Sequence, residues 1–287
     1  MPVISLIAPA GALEPALVSS LQGAFGATGD AIWLAPDEAA EFPVSRAPAN
    51  LAEVRESLAQ HKVDVNAIPD QNRRKKLLIA DMDSTMIRQE CIDELADEAG
   101  VGARVADITA RAMNGELDFE EAIIERVGLL KDLPVDVIDH VIATRIHHAP
   151  GGKTLVATMK ANGAYAALVS GGFVQFTEKV GAAIGFDETR ANRLIEEKGR
   201  LTGDVARPIL GQEAKVKALK ALAHDPADAI AVGDGANDLG MIAAAGMGVA
   251  LHAKPVVAAA APLRIDHADL TSLLFLQGYG KDEFVIA

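Results

Sequence analysis

The sequence is poor in cysteine, in aromatic residues and in positive charge, and each shortage removes a class of protein. One cysteine, Cys91, in 287 residues allows no intrachain disulfide, which fits a reducing compartment. Aromatic residues make up only 4% of the chain, so the core must be assembled from Ala, Val, Leu and Ile. Lys and Arg number 27 against 40 Asp and Glu, a formal net charge of −13. Nucleic acids and anionic membranes need clustered cations, so neither is an expected partner, whereas one small phosphorylated ligand could still be held by a few local cations. No uncharged run is long enough for a membrane span; AVGDGANDLGMIAAAGMGVAL comes nearest, and acids interrupt it. The N-terminal MPVISLIAPAGALEPALV lacks a basic region and carries Glu14 among prolines, so it reads as structure rather than as a signal peptide. The expected location is the cytoplasm.

Half the residues are hydrophobic, enough for more than one folding unit. Residues 1–72 read as a first unit. VISLIA and AIWLA are strands around the helix LEPALVSSLQGAF. After an acidic DEAAE break come FPVS, the helix NLAEVRESLAQ and a last strand, VDVNAI. The order βαββαβ predicts a small α+β ferredoxin-like domain. It resembles the ACT-type regulatory domains, which would make it a regulatory or dimerising unit with L-serine as a candidate effector. QNRRKK, residues 71–76, reads as a linker whose cations form a solvated face.

From LLIADMD onward strands and helices alternate, which predicts a parallel sheet with helices on both faces. RANRLIEEKGRLTGDVA reads as a hairpin turning near Lys198-Gly199, and MGVAL and PLRID as successive strands. Between residues 86 and 150 the alternation gives way to four helical patterns: ECIDELADEAG, a run from Val101, FEEAIIERVGLL and DVIDHVIATRI. The expected division is therefore 73–85 and 151–287 for the core, with 86–150 inserted as a helical lid. Such an insertion sits over the C-terminal edge of the sheet, where open α/β sheets bind ligands.

Four stretches offer chemistry there. In DMDST, Asp81 and Asp83 leave a strand on the same side, and two such carboxylates call for a cation or a shared proton. GDGAND (233–238) ends a strand with Asp234 and opens a helix with Asn237 and Asp238. VSGGF (169–173) offers Ser170 and the amides of Gly171 and Gly172 as an anion cradle. Lys215 stands near a helix start, where a nearby anion would account for it. Each alone also has a plain reading as a turn, a helix cap or a surface lysine. GDGAND is not a dinucleotide fingerprint, because Asp238 stands where the third glycine belongs. PGGKT (150–154) resembles a P-loop but has His147 at the first glycine. His147 and His148 lack partners at a metal spacing, and Cys91 reads as a small buried thiol.

Together, Asp81-Met82-Asp83-Ser84-Thr85, Ser170, Lys215 and Gly233-Asp234 with Asp238 resemble the haloacid-dehalogenase-like phosphatases. The likeness covers about residues 75–270, and in MIRQECIDELADEAG and ITARAMNGELDFEEAIIERVGLLKDLP it extends to the members that act on phosphoserine. It implies a Rossmann-like core with a helical cap and Mg²⁺ held by Asp81, Asp234 and the main-chain carbonyl of Asp83. Asp81 would be the nucleophile, forming an aspartyl-phosphate, and Asp83 the acid and base. Ser170, Gly171, Lys215 and Asn237 would bind substrate. In the lid, Glu90 would receive the ammonium and Arg126 the carboxylate of O-phospho-L-serine, yielding L-serine and phosphate in the last step of serine synthesis. The residue-level alternatives are a first-turn helix acid for Glu90 and a surface ion pair with Glu121 or Glu125 for Arg126. Met113 and Phe119 are candidates for the pocket or for the lid core. Another small phosphate ester, such as homoserine phosphate, or transfer to an acceptor alcohol is the nearest rival chemistry. A sensing protein on an inactive phosphatase frame is the rival of another class. Monomer and homodimer both remain open.

Overall fold

Alternating side chains give the first sheet two apolar faces, and both are used. In the computed structural model of the chain, residues 1–113 and 116–286 are described, Met113 by its backbone alone, so the candidate pocket role of its side chain lies outside the described residues. The first unit runs β1 (Pro2–Ile7), α1 (Pro15–Phe25), β2 (Ile32–Ala35), β3 (Ala39–Pro43), α2 (Leu51–Leu58) and β4 (Asp64–Pro69). Its strands lie antiparallel in the order β2-β3-β1-β4, the ferredoxin-like arrangement that the pattern predicts. Ile4 and Leu6 of β1 pack with Val18, Leu21 and Leu58 of the two helices. With a side-chain period of two, Ile7 faces the other way. There Ile7, Ala35, Ala39 and Ile68 join the main core of the second unit.

Two expectations in this region need correction. The acidic DEAAE stretch is not a break, because β3 starts at Ala39 within it. Two of its three acids are neutralised across the seam: Glu38 pairs with Lys281, and Glu41 takes a bidentate bond from Arg73 at 2.9 and 2.6 Å. QNRRKK joins the units without regular structure, as a linker does, but its cations are not all a solvated face: Arg74 and Lys76 are exposed, whereas Lys75 is buried. Arg74 reaches Glu283 at 2.8 Å and stacks 4.1 Å over the Tyr279 ring. Lys75 is buried, its Nζ donating to the carbonyls of Asn72 and Ala227 at 2.6 and 2.7 Å. Lys76 pairs with Asp228 at 3.0 Å. Of these cations Arg73 reaches the first unit, at Glu41, while Arg74, Lys75 and Lys76 tie the stretch to the second.

The second unit begins with β5 (Leu77–Ala80) and continues through the insertion α3 (Cys91–Glu98), α4 (Gly102–Met113), α5 (Phe119–Gly128) and α6 (Asp136–Thr144). Then follow α7 (Gly152–Ala161), β6 (Tyr165–Phe173), α8 (Val174–Ile184), β7 (Glu188–Asn192), β8 (Leu194–Glu197), β9 (Arg200–Val205), α9 (Gln212–Leu222) and β10 (Ala229–Gly233). The remainder is α10 (Leu239–Ala244), β11 (Met247–Leu251), α11 (Pro255–Ala260), β12 (Leu263–Ile265) and α12 (Ser272–Leu276). Six parallel strands form the sheet β12-β11-β10-β5-β6-β7. Leu78 and Ala80 of β5 face one apolar cluster, Leu77 and Ile79 another, so both faces are covered and the strand is apolar throughout.

The expected hairpin over 190–206 is split. Its first residues belong to β7, the sixth strand of the sheet, and only β8 and β9 form the hairpin, turning at Lys198 and Gly199 with φ of 54° and 74°. That hairpin leans on the insertion: Asp132 N–H donates to Leu201 O and Leu201 N–H to Leu133 O, both at 2.9 Å. The short helix α11, between the expected strands MGVAL and PLRID, was not foreseen. The two segments that lead into and out of the insertion pair at Ile87 and His148.

Candidate active site

Three neighbouring strands deliver the candidate residues to one place. Asp81 follows β5, Asp234 follows β10 and Ser170 lies in β6, and in the sheet β5 sits between the other two. Asp81 N–H donates to Val232 O at 3.0 Å, which fixes the carboxylate just beyond the ladder. β6 loses its register with β7 between Val169 and Phe173, so Ser170, Gly171 and Gly172 fall in the irregularity. Gly171 O there accepts Asn192 Nδ2–H at 2.8 Å, Gly172 N–H turns back to Ser170 Oγ, and Ser170 alone of the three reaches a carboxylate, that of Asp83.

Lys215, from the first turns of α9, is buried between two acids, with Nζ 2.7 Å from Asp81 Oδ1 and 2.6 Å from Asp238 Oδ1. Burial pulls its pKa down, but the two carboxylates outweigh that and hold it above the usual lysine value. Asp81 Oδ1 also accepts Met82 N–H at 2.8 Å. Asp238 Oδ2 accepts Gly235 N–H at 3.0 Å; burial first and the Asp81 charge second push its pKa to about 7. Asp234 is raised by burial and by Asp81, against a 3.2 Å bond from Thr85 Oγ1–H. Asp81, Asp234 and Asp238 are all buried, and one ligand atom from each lies within 4.8 Å of the others. Three carboxylates facing one lysine leave excess negative charge, which suits a hard divalent cation with oxygen ligands.

Asp83 is turned away from that cluster. Its Oδ1 accepts the amide of Cys91, the first residue of α3, at 3.1 Å, and its Oδ2 lies 3.5 Å from Ser170 Oγ. Burial, then the charge of Glu90, and more weakly that of Asp81, raise its pKa to about 7 against the Cys91 bonds. Ser170 Oγ accepts Gly172 N–H at 2.8 Å and donates to Asp83 Oδ2 at 3.5 Å, a bond long enough to be exchanged for a better acceptor. A Cβ at Gly172 would meet Asp83 Oδ2 at 2.8 Å, so a side chain there would push that carboxyl group aside.

The lid contributes the remaining wall. Glu90, at the cleft mouth, accepts Ser84 Oγ–H at 2.7 Å. Protein around it strips water from the carboxylate and raises its pKa, with Asp234 and Asp81 adding to the effect. Ser84 holds this position from a left-handed backbone, φ 54°, which costs a non-glycine residue about 1–2 kcal/mol. The surface ion pair suggested as an alternative for Arg126 does not form, because both acids are occupied. Glu121 closes a capping box with Asp118, and Glu125 binds Arg111 at 2.8 Å. Arg126 Nε–H donates to Ala122 O at 3.2 Å, and the guanidinium faces the charges of Asp93, Glu90 and Asp83; burial outweighs these and lowers its pKa. Phe119 reaches the core, its ring 3.2 Å from where a Cβ would stand on Gly171 or Gly211. The lid therefore touches the sheet edge directly over the carboxylates. Asn237 lies on the adjoining loop, half-buried beside Gly235.

Sequence reasoning assigned no role to Thr85 or Ser84, though both stand in the quoted DMDST. Their tie to Asp234 and Glu90 is tertiary. Lys254 was also missed. Its N–H donates to Asp234 O at 3.1 Å and its charge bears on Asp234 and Glu90, but an exposed lysine before proline carries no pattern. Cys91 is buried, the small core thiol expected, and burial, then Asp83, push its thiol pKa well up.

Residues 78–243 match the family model of haloacid dehalogenase-like hydrolases. The phosphoserine phosphatase of Archaeoglobus fulgidus is 42% identical over 243 residues, covering 81% of this chain and 70% of that protein. A crystal structure of a HAD family hydrolase from Salmonella enterica serovar Typhi superposes with a TM-score of 0.87 at 30% identity, over 99% of this chain and 100% of its own. An unliganded probable phosphoserine phosphatase from Vibrio cholerae superposes with a TM-score of 0.79 at 34% identity, over 98% and 88%.

Proposed function

The chain belongs to the haloacid dehalogenase-like hydrolase family, and from that premise we propose that it hydrolyses O-phospho-L-serine to L-serine and phosphate. The observation that carries this reading is the pairing of Asp81, clamped by Lys215, with an Asp83 that holds its proton near neutrality. Asp81 attacks phosphorus, forming a P–O bond to its carboxylate as the bond to the serine oxygen breaks. Asp83 donates its proton to the departing alkoxide. It then takes a proton from the water that attacks the aspartyl-phosphate, releasing phosphate and restoring Asp81. Dividing the displacement into two steps lowers each barrier. Lys215 and the Ser170 hydroxyl hold phosphoryl oxygens, and most of the acceleration comes from alignment and charge neutralisation. Asn237 lines the same loop as a substrate contact.

The buried carboxylates of Asp81 and Asp234, with the carbonyl of Asp83 and with Asp238 adjoining, fit Mg²⁺. When bound, it would neutralise phosphoryl charge and fix the orientation of the transferring group. In the lid, Glu90 takes the substrate ammonium and Arg126 forks the carboxylate. On this reading 73–85 and 151–287 are the catalytic core, 86–150 the specificity lid and 1–72 an accessory unit to which L-serine is a candidate effector. No described helix is long and apolar enough to cross a membrane, and a buried, unpaired cysteine is in keeping with a cytoplasmic enzyme.

The test is phosphate release, with and without Mg²⁺, from phosphoserine, phosphothreonine, homoserine phosphate and sugar phosphates. Phosphoserine is expected to dominate in kcat/KM, with turnover lost on chelation. Asp81→Asn is expected to abolish turnover while leaving the melting curve intact; normal turnover in that variant would refute the nucleophile.

A further inference from the structure

The lid joins the core through two crossings, between β5 and α3 on the way out and between α6 and α7 on the way back. They pair as an antiparallel ladder of a single bridge, Ile87 with His148. Arg88 N–H donates to His147 O at 3.0 Å and Ala149 N–H to Met86 O at 2.9 Å. Continued regularly, the ladder would send His147 N–H to the carbonyl of Arg88. It goes instead to the side chain of Gln89, whose Oε1 accepts it at 2.9 Å. A side-chain carbonyl thus takes a main-chain place and closes the ladder on the lid side. The Gln89 Nε2 lies 3.0 Å from His147 Nδ1, which is also 2.8 Å from Arg145 O. A ring nitrogen either accepts or donates, so it serves one of these neighbours at a time. The bond from His147 N–H does not depend on that choice.

On its other side Gln89 holds the approach to the carboxylates. Its main-chain carbonyl accepts Ser84 N–H at 3.2 Å. Ser84 Oγ–H in turn holds Glu90 at 2.7 Å, and Cys91 N–H reaches Asp83 Oδ1 at 3.1 Å. Residues 83–91 therefore form a closed loop that contains both Asp83 and Glu90. Glu90 stands at the N-cap of α3, but its side chain makes no capping bond, so the helix does not aim it. Ser84 aims it, and Ser84 is set by Gln89. The side chain of Gln89 is where this loop is fastened to the returning crossing.

We propose that Gln89 is a positioning residue for substrate recognition: by fastening the outgoing crossing to His147 N–H, it keeps Ser84 and Glu90 set over the carboxylates. The inference rests on the reading that Glu90 receives the substrate ammonium, and it adds to that reading the residue that holds Glu90 in place. A merely structural staple would lower Tm and weaken every substrate alike. A positioning residue for Glu90 acts on the substrate that carries an ammonium.

The experiment compares the unaltered chain with Gln89→Met, which keeps the side-chain length and removes both bonds, and with Gln89→Glu, which keeps an oxygen on His147 N–H. Steady-state kinetics with Mg²⁺ use phosphoserine, a generic aryl phosphate, and phosphoglycolate, which keeps a carboxylate but has no ammonium. For Gln89→Met the KM of phosphoserine alone is expected to rise about fivefold, the worth of one neutral hydrogen bond, with kcat little changed. Gln89→Glu is expected to keep the KM of the unaltered chain. An unchanged phosphoserine KM in Gln89→Met, or equal losses on all three substrates, overturns the proposal. Amide exchange of the substrate-free chain, read by NMR, checks the fastening without any turnover. His147 N–H is expected to exchange about fivefold faster in Gln89→Met while Ile79 in β5 keeps its rate, and an unchanged His147 rate would remove the fastening. If the unaltered chain does not prefer phosphoserine to phosphoglycolate, the substrate reading itself falls and takes the role of Glu90 with it. A preference present in the unaltered chain and untouched in Gln89→Met removes Gln89 alone.

Discussion

Asp83 stands between opposing influences. Burial and the Glu90 charge favour its proton, whereas the Cys91 amide at the start of α3 favours its charge, and the outcome is a pKa of about 7. A general acid works only while protonated, so formation of the aspartyl-phosphate is expected to slow as pH rises through that value; bound metal would move the limb lower. Single-turnover measurements across pH should show the limb, and Asp83→Asn should abolish it. The same group limits stability. Its folded pKa lies above that of the unfolded chain, so the folded state binds more protons between about pH 4 and 7, and stability falls as pH rises through that window. Asp83→Asn should therefore raise Tm at pH 8 more than at pH 5. At Arg126 the sequence could not decide between a surface ion pair and recognition, because both need an arginine on a helix. The capping box and Arg111 remove the ion-pair reading by engaging Glu121 and Glu125, which leaves recognition as the proposed role. Arg126→Ala is expected to cost phosphoserine about 2–5 kcal/mol in transition-state binding, roughly 30- to 4,000-fold in kcat/KM, and a generic aryl phosphate far less. Equal losses on both substrates would remove Arg126 from recognition.

Elements were legible where their period was strong. The βαββαβ order, the four lid helices and the central strands of the sheet all follow from apolar spacing, and their chemistry-bearing ends follow from strand polarity. What escaped is what depends on partners far along the chain. β7 carries no apolar run; Glu188 to Asn192 become a strand because the edge of β6 is available to them. The irregularity in β6 at Ser170 is equally silent in VSGGF, where the residues suggest an anion cradle or a turn but no loss of register inside a strand. That irregularity makes Gly172 a test of the site at the level of the strand. Gly172→Ala places a methyl 2.8 Å from Asp83 Oδ2, so the carboxyl group must shift. A shift of that size away from productive geometry is expected to reduce kcat by about 100-fold. Tm should change little, since the methyl points into the cleft rather than into the core. Unchanged kcat would mean that Asp83 is not held where the geometry has it.

At the scale of the whole molecule, the least legible feature is the seam, because the charges that build it look like solvated surface when read locally. Asp64 opens a strand and could pass for a strand-end acid, yet it is buried and binds three successive amides of the loop after β12. Asn66 completes the join, its side chain both donating to Arg264 O and accepting Arg264 N–H at 2.9 Å. Asp64→Ala leaves three backbone donors without acceptors at a cost of about 1–3 kcal/mol each, reduced wherever water enters. The apolar contact of Ile7, Ala39 and Ile68 with the core remains, so the units stay attached while losing much of their coupling. Calorimetry of the variant is expected to show two transitions in place of one, the first unit melting earlier. Turnover below the first transition should be unaffected, because no residue of the first unit lies among those that hold the carboxylates. A single transition at the original Tm would show that the apolar face alone unites the molecule.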